Sequence, residues 1–191
     1  MATVQTRRVT ADEFFDFVHR PENAGKHFEL ERGEVIELPP PMKPHGFVCG
    51  NVARILGNHA TQRRNGYVCS NEIGLIVEHN PDTVRGADVC YYVDDQTLET
   101  MPRRYSDAPP QLVVEVRSPT DREKKIMRRL QEYLRLGVPT VWLVDPEDRF
   151  VTVHEPNKIH QVLEESEELT GGAALPDFRC RVSEFFARPG Q

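Results

Sequence analysis

Glu115 stands inside Leu112-Val113-Val114-Glu115-Val116, a nearly continuous apolar run of the kind found in a strand covered on both faces. A carboxylate there costs several kcal/mol unless a cation or hydrogen bonds compensate it. An ion pair with an arginine of the following helix would do so. So would a metal ion shared with a second carboxylate on a neighbouring strand, and Asp88 in Gly86-Ala87-Asp88-Val89 supplies one. Strands lie ~4.8 Å apart, so two carboxylates at matching heights can hold a hard divalent cation, with water completing the octahedron. Magnesium is the expected ion, and manganese its substitute.

Cations surround this pair in sequence. Arg117 lies two residues beyond Glu115 and is expected on the same strand face. Arg122, Lys125 and Arg129 fall at i, i+3 and i+7 along one edge of the next helix, where they can overhang the strand end and meet phosphate. From Arg122 to Arg135 there are six basic residues against two acidic ones, a positive strip that reads either as a solvated face or as a phosphate contact. The set suits phosphodiester hydrolysis, in which a metal acidifies water and offsets charge growing on phosphorus, while lysine or arginine steadies the non-bridging oxygens. Acyl transfer and nucleotide motifs are missing: there is no GxSxG, Walker loop, GxGxxG after a strand, or HExxH.

The elements that must position these residues follow from periodicity. Thr10-Ala11-Asp12-Glu13 is a capping box opening a short helix with Phe14, Phe15 and Val18. Alternation from His27 to Leu38 around Arg32-Gly33 predicts a hairpin. After Pro39, Pro40, Pro41 and Pro44, the spacing of Val48, Val52, Ile55, Leu56 and His59 predicts a second helix, with His45 at its head. Strands are predicted over 66–77 and 86–93, separated by Asn80-Pro81-Asp82. Pro119 ends the strand of Glu115, and Thr120-Asp121-Arg122-Glu123 reads as a second capping box. Ile126, Met127, Leu130, Tyr133 and Leu134 continue the helix to Gly137. Strands follow over 141–145 and 150–154, with an edge strand near Gln161-Val162-Leu163. The order makes the chain mixed α/β, with a parallel strand-helix-strand crossover from 112 to 145.

The 191 residues suit one domain, 1–191, able to bury roughly two-thirds of the surface of the unfolded chain. Lys plus Arg total 24 against 30 Asp plus Glu, and the net charge of -6 argues against a broadly polycationic protein, though not against a local basic strip. No stretch approaches the ~18 apolar residues of a membrane span, and the N-terminus has no signal-like apolar core, so a cytoplasmic, non-membrane protein is expected. Cys49, Cys69, Cys90 and Cys180 form no CxxC pair and are expected as reduced, partly buried thiols.

An ordered series of residues resembles the Uma-type family of restriction endonuclease-like proteins, within the PD-(D/E)XK nuclease superfamily. It comprises Phe28-Glu29-Leu30 with Gly33-Glu34-Val35, His45, Asp82-Thr83-Val84-Arg85-Gly86-Ala87-Asp88-Val89, Val114-Glu115-Val116-Arg117-Ser118-Pro119, Tyr133, Gly137-Val138-Pro139, and Trp142-Leu143-Val144-Asp145-Pro146. The resemblance implies a restriction endonuclease-like core, a mixed sheet flanked by helices, with Asp88 and Glu115 as metal-binding acids. It implies Glu29 and His45 near the pocket and Glu72 as an extra carboxylate. Three positions depart from the pattern: Ala87 replaces the proline of Pro-Asp, Arg117 takes the usual lysine position, and Arg129 stands where relatives place a helical lysine. Arginine stays protonated near neutral pH, so it can orient water and stabilise charge but cannot act as a base, which leaves Lys125.

The expectation is a magnesium-dependent endonuclease acting on DNA, with a homodimer implied by the resemblance and two sites facing the two strands. The rival is a non-catalytic DNA-binding or assembly module, in which Arg117 or Arg129 neutralises Glu115.

Overall fold

The computed structural model describes residues 7–119 and 121–188. Its elements are α1 (Ala11–Val18), β1 (His27–Glu31), β2 (Glu34–Leu38), α2 (Lys43–Arg63), β3 (Tyr67–Glu78), β4 (Thr83–Tyr92) and β5 (Leu112–Val116). There follow α3 (Glu123–Leu136), β6 (Val141–Asp145), β7 (Phe150–His154), β8 (Gln161–Glu164), β9 (Glu168–Thr170) and β10 (Arg179–Arg181). One large sheet runs β2-β1-β4-β5-β6-β7-β8, with β3 also paired to β4; β9 and β10 form a separate pair. This is the mixed sheet flanked by helices that the sequence predicts. Among the named strands of the described residues, only β5 and β6 pair in parallel, across α3, in register Val113↔Val141 to Val116↔Val144.

The sheet splits at one place. β3 follows β4 along one edge, from Tyr67↔Tyr92 to Glu78↔Thr83. The other edge is taken by β1 at Val84 and by β5 from Val89 to Tyr91. Residues 85–88 of β4 therefore face a gap between β1 and β5. One residue beyond the Val89↔Val114 pair, Asp88 stands across from Glu115.

Strand alternation divides the core. Val114 and Val116 pack with Val48, Val52 and Leu56 of α2, whereas Val113 packs with Ile126, Leu130 and Tyr133 of α3. Glu115 has the parity of Val113 and so meets α3. A third cluster joins Phe14 of α1 to Leu30 and Val84, holding the β1–β2 hairpin against β4. Between these strands Arg32 and Gly33 have φ of 51° and 79°, the paired left-handed backbone of a tight hairpin turn.

One local expectation changes. The Thr10–Glu13 capping box forms at α1, but α3 starts at Glu123, with Arg122 at the N-cap and no side-chain cap. Asp121 instead accepts a hydrogen bond from Ser118 N at 2.8 Å, closing the preceding turn; Thr120 lies outside the described residues. Pro44 lies in the first turn of α2, where its missing N–H leaves no intrahelical bond unmade. Near the end of the described residues a 3-10 turn, Val182–Phe185, buries Val182 and Phe185.

Candidate active site

A cavity of about 590 Å³ opens at the split in the sheet. Its lining includes Glu29 from β1, Glu72 from β3, Asp88 from β4, Glu115 from β5 and His45 from α2. Arg122, Lys125 and Arg129 border it from the α3 side. The structure thus brings together every residue singled out above except Arg117.

Asp88 is held by the strand that would otherwise continue beside it. Its Oδ2 accepts from Val116 N at 2.7 Å and lies 3.3 Å from His45 Nε2. That contact with Asp88 raises the pKa of His45, against the opposing effect of burial. Among the described residues, Oδ1 has no hydrogen-bond partner.

Glu115 is 4% exposed, and both its oxygens are engaged. Tyr133 Oη donates to Oε1 at 2.8 Å, and Arg129 NH1 donates to Oε2 at 3.0 Å. Burial nevertheless dominates and pushes its carboxyl up to about 7; Arg129 opposes the rise and the charge of Asp88 adds to it. The ion pair with an arginine of the following helix is present, and the second carboxylate is present beside it.

Arg129 also reaches Glu29, with NH2 2.9 Å from Oε1. Glu29 is fixed in turn by Gly86 N at 3.3 Å and by Arg85 NH1 at 3.0 Å. Arg85 is 2% exposed and makes a two-pronged contact with Glu132, Nε to Oε2 at 2.7 Å and NH2 to Oε1 at 3.2 Å. Glu132 also takes Arg128 Nε at 2.9 Å. A buried chain of alternating charge therefore runs from Glu115 through Arg129, Glu29 and Arg85 to Glu132. The sequence does not single out Arg85 or Glu132 as site residues; for Arg85 the available signal was a charged residue within a largely apolar strand, as at Glu115, and for Glu132, on α3, there was none.

Glu72 enters the cavity through a bulge. The β3–β4 register shifts between Ser70 and Ile73, and Asn71 and Glu72 take φ of 78° and 57°. Such backbone costs of order 1–3 kcal/mol per residue and commonly re-aims a side chain at a functional site. Gly86 makes room: a Cβ there would stand 3.1 Å from Glu72 Cβ. The Glu72 carboxylate meets His27 Nδ1 at 2.7 Å.

Arg117 departs from its expected place beside Glu115. Its NH1 lies 3.3 Å from Asp145 Oδ2 and its NH2 3.0 Å from Glu123 Oε2. β5 ends at Val116, so strand alternation no longer governs residue 117, and Asp145, 3% exposed, draws the cation. Lys125 is exposed at the rim. His59 packs against Phe178 at 5.3 Å between ring centroids, away from the cavity. Cys49, read as a small hydrophobe, places its Sγ 3.5 Å from His45 Nδ1.

The donor chemistry fits a hard divalent ion. The carboxylates of Asp88, Glu115 and Glu72 line one cavity, and burial with the charge of Asp88 raises Glu115, which a dication would relieve; among the described residues the three-donor set within 4.8 Å is His45, Cys49 and Asp88.

The profile of Uma2, described as "putative restriction endonuclease", matches residues 11–183. The chain belongs to the Uma2 family. In this Uma2 member the match spans every element that lines the cavity. No curated protein matches the chain. Among solved structures it is similar to one described as "a putative nuclease belonging to DUF820 from Anabaena variabilis ATCC 29413". The TM-score is 0.76 at 18% identity, covering 93% of this chain and 97% of that one, a likeness that shows the fold. The Uma2 chain therefore has a nuclease-like family and fold. Among its described residues no helix is long and apolar enough to cross a membrane.

Proposed function

We propose that the protein is an endonuclease that hydrolyses DNA phosphodiester bonds with a divalent cation, magnesium first and manganese in substitution. The observation that carries this reading is the shared cavity of Asp88 and Glu115, which face each other from adjacent strands beneath Arg122, Lys125 and Arg129. Asp88, Glu115 and Glu72 would hold the ion, which when bound lowers the pKa of water and offsets charge on phosphate.

The chain's own groups do the rest. Arg122 and Lys125 bind backbone phosphate at the rim. Arg129 stays protonated and supplies positive charge to the scissile group while it orients Glu115. Lys125, the only lysine among the described residues that line the cavity, steadies the attacking water. Glu29 holds Arg129, and His45 orients Asp88. The proposal includes one domain over 1–191, a homodimer that presents two cavities to a duplex, and the cytoplasm as compartment, in keeping with four free thiols.

A second reading is favoured by one contact, the 3.0 Å pairing of Arg129 with Glu115. In it the cation replaces the metal, and the chain binds DNA or a protein partner without cleaving. The test is cleavage of linear, supercoiled and single-stranded DNA with Mg²⁺, Mn²⁺ or EDTA, alongside Asp88→Ala and Glu115→Ala. Divalent-dependent cleavage lost in both variants is the expected result. DNA retention without cleavage by the unaltered chain supports the second reading.

A further inference from the structure

Cys49 packs at the edge of the core cluster of α2, but the nuclease chemistry makes no use of its thiol. It follows His45 by four residues on α2, so both side chains lie on one helix face. His45 touches Cys49 Sγ at 3.5 Å through Nδ1 and Asp88 Oδ2 at 3.3 Å through Nε2. One donor atom from each of the three residues lies within 4.8 Å of the others, and since His45 meets its two neighbours through opposite ring nitrogens, its ring must turn to offer one of them to a shared ion. Tetrahedral zinc with bonds of ~2.0–2.3 Å sets its donors roughly 3.3–3.8 Å apart, so closing by about 1 Å completes such a triad.

We propose that His45, Cys49 and Asp88 form a binding site for a borderline, thiophilic divalent cation such as Zn²⁺. Imidazole nitrogen and sulfur are poor ligands for magnesium and good ones for zinc or cobalt, so the site differs in selectivity from the carboxylate pair while sharing Asp88 with it. A cleft of about 270 Å³, lined by Gly46, Gly50, Asn71 and the three donors, gives the ion a way in and leaves a fourth position open. Burial and the charges of Asp88 and Glu115 hold the Cys49 thiol protonated, and the same negative field favours a dication. On binding, the S–H bond of Cys49 breaks and a metal–sulfur bond forms, any proton on the ligating nitrogen of His45 is lost as its metal–nitrogen bond forms, and these protons pass to solvent; no electron moves. Capture of Asp88 by zinc draws it from Glu115, so zinc opposes magnesium; this consequence alone rests on the nuclease reading.

The test uses the full chain, freed of metal and titrated with Co²⁺. A near-ultraviolet sulfur-to-cobalt charge-transfer band is expected, bleached by Zn²⁺, with at least one proton released per ion, that of Cys49. The band disappears in Cys49→Ser, weakens at least about tenfold in apparent affinity in His45→Gln, and persists in Glu115→Gln. Far-ultraviolet circular dichroism and a thermal midpoint confirm folding, and Cys49→Ala serves if the serine variant does not fold. Absence of the band in the unaltered chain, or its survival without Cys49, overturns the proposal. Failure of magnesium-dependent cleavage with the band intact removes the nuclease reading and leaves this site standing.

Discussion

Arg129 grips Glu115 with one arm of its guanidinium, NH1 to Oε2 at 3.0 Å, and spends the other arm on Glu29. The planar fork thereby ties β1 to β5 across the gap that opens beside β4. Lysine, a single point charge, could not span both carboxylates in this way.

Removing that fork leaves two buried carboxylates without their shared cation. Arg129→Ala is expected to lower unfolding free energy by about 3–5 kcal/mol, and Arg129→Lys to recover only part of it. Arg85→Met, which strips the cation from Glu29 and Glu132 together, is expected to cost a similar amount. Urea titration at pH 7 measures both, and a loss under about 1 kcal/mol in either would contradict the network.

On the proposed function, metal chemistry at the carboxylate pair would contribute several kcal/mol of transition-state stabilisation, at least roughly a hundredfold in rate. Asp88→Asn and Glu115→Gln should each lose that much magnesium-dependent cleavage. Lys125→Met should lose roughly a hundredfold while unfolding at the same temperature, because Lys125 sits exposed at the rim. Initial rates under saturating Mg²⁺ decide the matter, and a Lys125 variant as fast as the parent would move the positioning of water elsewhere.

Burial holds the Glu115 carboxyl at about 7, above its ordinary 4.5. The folded state therefore keeps this proton where the unfolded chain has released it. The contribution to stability is full below pH 4.5 and is lost as pH rises through 7. In EDTA, the thermal midpoint should fall over this window, and Glu115→Gln should flatten that part of the profile. Magnesium affinity should rise over the same window, since the ion needs the carboxylate. An unchanged profile in the variant would assign the slope to other groups.

His45 is raised above 6.5 by its hydrogen bond to Asp88. Its protonated form stabilises the fold fully below 6.5, and that contribution fades as pH passes the elevated value. Imidazole resonances followed by NMR should show His45 titrating later than the exposed histidines and shifting down in Asp88→Asn. A value indifferent to Asp88→Asn would break the pairing.

Much of the scaffold was legible because it is written in local periodicity. The capping box at Thr10, the Arg32-Gly33 turn, the apolar stripe of α3 and the parallel crossover each depend on residues close in the chain. Boundaries were less legible where a side chain had a competing local partner, as when Asp121 turned to Ser118 and left Arg122 at the N-cap.

By itself the sequence determined that a carboxylate lies within a buried strand, that cations follow it at helical spacing, and that α and β elements alternate. Those are consequences of apolar pattern and spacing. Only the tertiary structure decided which cations reach which acids. Arg117 went to Asp145, and Arg129 bridged Glu115 and Glu29. Arg85, unremarked in the chain, became the buried link to Glu132. Partners 14 to 100 residues apart are chosen by sheet order and by the split between β1 and β5, because a buried charge takes whichever opposite charge the fold carries within reach.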